Sequence, residues 1–452
     1  MTGQGHERHS PTRRVVLASM VGNALEWYDF FLYGTAAALV FNDLFFPSVD
    51  PLTGTIAAFG TYALGFGARP IGGVLFGHFG DRIGRKAVLV TTLALMGAST
   101  FLIGLLPTYG SIGVAAPILL TLLRILQGIA VGGEWGGGVL LISENVDQRR
   151  RGMLSALSQT GVGIGFVLSA LVFAIMTAVT DDAAFTAWGW RVPFLVGVVI
   201  MAAGLVIRMK LVETVAFREV EKSDDLERLP ALAALRDHPR SVLVSFGARI
   251  AENGGSYIFL VFVLAYAEQL GISSTVALIA VIVAMSLESM AMPLWGALSD
   301  RIGRRPVYAG GAIAMILWAA PFFWLLGTKS TPLVILAVVV ANAVCHGAMI
   351  GTQPAFFSEL FASGVRYSGI ALGHEVASVL AGGLSPLIAT ALLAWAGGWW
   401  PIAIYLAVLG LITCVAVLWS DETLARDLTA TDAISKDRGA AARSVPNQAG
   451  TR

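Results

Sequence analysis

The sequence predicts an all-α integral membrane protein, with twelve transmembrane helices in two six-helix, pseudo-symmetric bundles. Three observations predict it. Only 13% of the 452 residues are charged and 56% are hydrophobic, with a mean hydropathy of +0.75; soluble domains carry about 25% charged residues. The apolar residues gather into twelve stretches near the ~20 residues that a helix needs to cross a bilayer. The loops after the second and eighth stretches share the pentapeptide DRIGR (81–85 and 300–304), so the halves of the chain echo each other.

The stretches lie near 15–40, 54–77, 87–106, 115–142, 153–178, 191–210, 241–267, 274–297, 307–327, 332–356, 368–394 and 399–419. The expected domains are an N-terminal tail (1–14), a first bundle (15–210), a charged linker (211–240), a second bundle (241–420) and a polar tail (421–452) expected to be disordered. The first stretch follows Arg13 and Arg14 as a signal peptide would. It contains Glu26 and Asp29 and lacks a cleavage site, so it is read as a retained span.

Basic residues in loops orient the spans. With the N-terminus inside, 25 of the 30 Lys and Arg fall in inner segments, including Arg82, Arg85 and Lys86, Arg149 to Arg151, and Arg301, Arg304 and Arg305. The outer loops hold only Lys329; Arg69, Arg124, Arg191 and Arg249 lie in or at the edge of spans. Both termini are therefore expected in the cytoplasm, with the chain in the plasma membrane. Cys345 and Cys414 sit in apolar runs and suggest neither a disulfide framework nor a metal site.

The repeated loop has legible physics. Gly73 and Gly77, four apart, allow close helix packing. Gly84 and Gly303 allow a turn too tight for a side chain. Asp81 and Asp300 suit the N-terminus of a neighbouring helix, where free N–H groups favour an anion. Arg85 and Arg304 can make forked pairs with Glu144 and Glu359. Glu144 precedes Arg151 by seven residues, as Glu359 precedes Arg366, so the pattern occurs twice. Asp81 and Arg85 with Glu359 and Arg366, and Asp300 and Arg304 with Glu144 and Arg151, are expected to latch the inner ends of the halves. Solvated topology determinants are the plainer alternative.

GVLFGHFGDRIGRK (73–86) resembles the signature loop of the major facilitator superfamily. GNALEWYDFFLYG (22–34), GFGARPIGG (65–73), RILQGIAVGGEWGG (124–137) and WGWRVPF (188–194) resemble the metabolite:proton symporter family, with wording nearest its shikimate branch. The resemblance covers about residues 13–420 and implies the major facilitator fold, with spans 1, 4, 7 and 10 lining a central cavity. It also implies import of a small organic anion with protons, and no cofactor beyond the proton itself. ARIAENGGSYIFLVF (248–262) resembles members of varied substrate, so a zwitterion such as proline or betaine stays open.

A charge at mid-bilayer costs about 2.5–3.5 kcal/mol on insertion scales, so charges within spans point to a path or a partner. Glu26 and Asp29, three apart, share a helix face. Two such carboxylates resist ionising together, a property suited to a proton carrier; a permanent pairing with an arginine is the alternative. Glu134, flanked by glycines, is the other proton-coupling candidate. Arg124 near mid-membrane can present a forked donor set to a carboxylate. Arg249 is a substrate candidate unless Glu252, one turn on, satisfies it. Arg69 is expected near the inner mouth as a structural group. Asn23, Trp27, Tyr33, Gln127, Gln159, Tyr257 and Asn342 are candidate polar neighbours of a substrate. His346 and His374 read as isolated histidines, which argues against a metal. No HExxH, GxSxG or Walker loop occurs, which argues against an enzyme or an ATP-driven pump. Span five (SQTGVGIGFVLSA, 158–170) lacks a proline, which weakens a drug antiporter. The expected partners are the organic anion, protons and lipid, without nucleic acid, and the chain is expected to be monomeric.

Overall fold

A computed structural model of the chain describes residues 12–83, 85–132, 143, 146–209, 230–361, 366–424 and 426. Side chains at 12–19, 22, 26, 73, 74, 77–83, 85–89, 203, 204, 206–209, 230–233, 367, 368 and 371 lie outside that description. The described helices of the first half are α1 (Thr12–Leu39), α2 (Pro51–Ile83), α3 (Arg85–Leu105), α4 (Ala115–Val131), α5 (Arg151–Val179) and α6 (Arg191–Met209). They continue with α7 (Pro239–Gln269), α8 (Ser274–Ile302), α9 (Arg304–Gly327), α10 (Thr331–Leu360), α11 (366–396) and α12 (Trp400–Trp419). Each coincides with one predicted stretch. Among the described residues seven runs, α5 and α7 to α12, are long and apolar enough to span a bilayer, and α6 makes an eighth with the bent helix Asp182–Gly189 before it.

Glycines set the closest helix contacts. A side chain on Gly128 would fall on the carbonyl of Gly65, and one on Gly72 on that of Ile129, so α2 and α4 touch backbone to backbone. The halves meet chiefly through α5 on α8, with α2 against α11 and α1 against α7. Gly152 and Gly296 face each other at the α5–α8 crossing; a Cβ on either would meet the other's carbonyl at 2.5 Å.

Charges concentrate where α8 turns into α9. Gly303 makes that turn at φ +105°, open to glycine. Asp300 accepts from the N–H groups of Gly152 (2.8 Å) and Met153 (3.0 Å), so an anion of one half caps the first turn of α5 in the other. Arg304 forks onto Glu359, at 3.1 and 3.2 Å, and bonds Asp300 at 2.7 Å. Arg151 reaches Glu359 across the halves at 3.0 Å. Arg366 bonds the Phe361 carbonyl of its own half at 3.1 Å. Arg304 and Arg151 therefore converge on Glu359. The expected partner Glu144 and the equivalent Asp81 and Arg85 side chains lie outside the described residues.

The tail does not begin as a disordered segment. After α12 the chain folds back over this cluster. The Glu422 carboxylate accepts from the N–H groups of Arg304 and Arg305, capping α9. The Thr423 hydroxyl donates to Glu359 at 2.9 Å, and Arg151 donates to the Arg426 carbonyl at 3.2 Å. The strap is held because it caps helix-terminal N–H groups that have no partner within their helix and adds a bond to each of two buried charges already paired, Glu359 and Arg151.

Candidate functional site

Two polar networks face each other at mid-height. In the first half Asp29 on α1 is buried, accepts from Thr100 of α3, and accepts from the Gln127 amide at 3.1 and 3.2 Å. It makes no ion pair among the described residues. Gln127 in turn accepts from Arg124 at 3.1 Å. The fully buried Arg124 guanidinium lies over Phe30 (4.4 Å), Tyr33 (4.5 Å) and Tyr62 (4.7 Å), a cation–π nest. Its Nε and Nη2 have no hydrogen-bond partner among the described residues. Gly65 makes room for it: a Cβ there would stand 2.7 Å from Nε.

Arg69 corrects the sequence reading. It is not at the inner mouth but stacks on the other side of this nest, 4.3 Å over Phe30 and 4.7 Å over Phe66. Glu375 of the opposite half is 3.9 Å away. Packing is the cause: the Phe30 and Phe66 faces and a carboxylate of the opposite half hold the guanidinium there, partners distant in sequence.

The second half is more tightly knit. Arg249 pairs with Glu252 and donates to Gln353 at 3.0 Å, and the Asn253 amide oxygen accepts from it at 3.0 Å. Gln353 also donates to Glu252 (3.1 Å) and to the Tyr308 hydroxyl (3.0 Å). His346 is not isolated, another correction: its Nε2 lies 3.2 Å from Glu252 and its Nδ1 bonds Glu288. His374 likewise bonds Glu375 at 2.9 Å. Wide π-helical turns at Ile258–Phe262, Val340–His346 and Ser378–Gly383 interrupt α7, α10 and α11 at this depth. Such turns shift the side chains that follow out of the regular helical register.

A cavity of about 20 Å³ lies between the networks, lined by Trp27 and Gln159 from one half and Arg249, Glu252, Tyr257 and His346 from the other. That volume suits about one water. A metabolite therefore requires the halves to part.

The other sequence candidates sort cleanly. Tyr33 bonds Thr61 at 2.5 Å and forms part of the Arg124 nest. Asn23 donates to the Ser158 carbonyl at 3.1 Å, tying α1 to α5 rather than facing the cavity. Asn342 does not neighbour the cavity; its amide bonds the Val338 carbonyl of its own helix at 2.8 Å. The Glu26 side chain and Glu134 lie outside the described residues. Sequence reasoning missed Thr100, Gln353 and the link from His346 to Glu288, because packing between helices, not spacing along the chain, makes them neighbours.

Membrane-length helices, two halves in contact and a buried charged centre fed by both define a membrane carrier rather than an enzyme. The chain belongs to the Major Facilitator Superfamily, whose sequence pattern matches residues 19–382 and 245–446. It is 40% identical to the shikimate transporter of Escherichia coli K12 over 413 residues, 90% of this chain and 94% of that one. An Escherichia coli K12 proline/betaine transporter is 35% identical over 425 residues, covering 90% and 83%. Among solved structures, the Escherichia coli xylose transporter in a partially occluded inward open conformation superposes with a TM-score of 0.72 at 17% identity, covering 92% and 99%; that likeness carries the fold alone.

Proposed function

We propose that the chain is a plasma-membrane, proton-coupled importer of a small organic acid, with both termini in the cytoplasm and the charged strap end facing inward. The observation that carries the substrate class is Arg124, a buried guanidinium with two nitrogens unpartnered and no carboxylate bound to it directly among the described residues. A buried cation in that condition is costly, and a substrate carboxylate supplies both the charge and the acceptors. Asp29 is the proton carrier. Among the described residues it is tied to Arg124 only through Gln127, so it gains or loses a proton without breaking an ion pair. With Asp29 protonated, the network carries the positive charge that an anion needs; proton and substrate then bind as a pair. The coupling also answers the membrane potential, which opposes an entering anion by about 2.3 kcal/mol per charge at ~100 mV.

The relationship to the shikimate transporter supports a hydroxylated carboxylic acid. A second reading, import of a zwitterion such as proline or betaine, draws on Trp27, Phe31 and Tyr257 beside Glu252, a lining that suits a substrate cation. Uptake into energised vesicles, with and without a protonophore, using shikimate, 2-oxoglutarate, proline and betaine as probes separates the two. Protonophore-insensitive uptake of every transported probe overturns the coupling.

A further inference from the structure

The second-half network has a charge imbalance that the proposed function does not use. Glu252 on α7 and Glu288 on α8 are both buried and stand on either side of the His346 ring, while Arg249 is the one guanidinium bonded to the group among the described residues. Two carboxylates against one guanidinium leave one negative charge. Burial of net charge is expensive, and one added proton, shared along Glu252–His346–Glu288, makes the group neutral. Among the described residues nothing else nearby balances it: Tyr308 and Gln353 are neutral, and on α11 His374 bonds Glu375, which already faces Arg69 of the first half. Among the described residues one buried Glu288 oxygen has no hydrogen-bond partner, so the group retains an open position for a proton. Glu252 and His346 also line the central cavity, whereas Glu288 stands behind them. The proton therefore has a route: cavity water, Glu252 or His346, then Glu288.

We propose that Glu252, His346 and Glu288 form a second proton-binding site, in the half opposite Asp29, which exchanges its proton with the central cavity. This rests on the reading of the chain as a proton-coupled carrier, and it makes Glu252 a proton group rather than a substrate contact. The site transfers a proton only; no other bond forms or breaks. Its occupancy sets whether a buried negative charge stands beside the cavity, so it also sets the charge an entering substrate meets.

The test reads protons directly and needs no substrate. The purified full chain in lipid nanodiscs is titrated potentiometrically between about pH 5 and 10, where surface groups give a background common to all variants. Folding is checked by thermal unfolding. Glu288→Gln and Glu252→Gln, each of which leaves one carboxylate against Arg249, are expected each to bind about one proton fewer per molecule than wild type. Asp29→Asn is expected to lose about one on its own account, and Asp29→Asn with Glu288→Gln about two. A folded Glu288→Gln or Glu252→Gln protein that binds as many protons as wild type overturns the second site. An unchanged Asp29→Asn protein overturns only the role given to Asp29. The two second-site variants are read independently, so if one fails to fold, the proton count of the other still decides the matter.

Discussion

The two halves solve the same problem, a buried arginine, in opposite ways. Arg249 is met by a carboxylate and two amides, whereas Arg124 is met by one amide oxygen and three aromatic faces. Among the described residues the second half also holds three of the four wide π-helical turns, the first half only Phe185–Gly189. A network left short of acceptors is where an outside anion is stabilising; a network complete in acceptors but unbalanced in charge is where a proton is. On the proposed reading, each half takes up what it leaves unsatisfied, an anion beside Arg124 and a proton at Glu252–His346–Glu288, while Asp29 adds a proton group to the first half.

The sharpest way to break the comparison is Arg124→Lys. It keeps the charge but loses the fork, and two charge-assisted hydrogen bonds at about 1.5–3 kcal/mol each correspond to a fall in transport efficiency on the order of 100-fold or more. Unchanged uptake kinetics remove Arg124 from the anion site. Stability should show the reverse asymmetry. Arg249→Met takes the bonded guanidinium from the Glu252–Glu288 group and leaves its buried charge uncompensated, a break worth about 3–5 kcal/mol, whereas Arg124→Met takes the donor from the Gln127 oxygen at about 1–3 kcal/mol. Thermal unfolding in detergent should therefore fall further for Arg249→Met; equal falls erase the distinction between the halves. Asp29→Asn should abolish protonophore-sensitive accumulation while substrate exchange continues, and accumulation at wild-type level transfers the coupling elsewhere. Gly65→Ala places a methyl against the Arg124 Nε and should raise KM about 10-fold, within the cost of a misplaced group. The smallest effect belongs to the strap: truncation after Ser420 removes bonds of about 1 kcal/mol each. It should raise reactivity of a cysteine at position 358, where a buried serine stands beside Glu359, about fivefold; no change means the strap adds nothing to closure.

The helices were legible because membrane length is a property of one segment, readable without its neighbours. Arg124 and Gln127 were legible for a related reason: three residues apart, they share a helix face and do bond. The companions of Asp29 and His346 were not. Thr100 lies 71 residues from Asp29, and Glu288 and Glu252 lie 58 and 94 residues from His346, so only the packing of α3 on α1, and of α7 and α8 on α10, reveals them. Asn342 misled because a polar residue within a span has a second way to be satisfied, a bond to its own helix backbone. The fork of Arg304 on Glu359 followed from the repeated spacing, but the arrival of Arg151 at the same carboxylate required the two halves to meet.

The fold-back of residues 420–426 has a consequence for synthesis. The carboxylate of Glu359 is bonded by a residue made early, Arg151, and by one made almost last, Thr423. All twelve helices can leave the ribosome and enter the bilayer before that cluster is complete. A nascent chain interrupted between Trp419 and Thr423 would carry every span and the whole central site, yet reach the membrane with its inner closure unfinished.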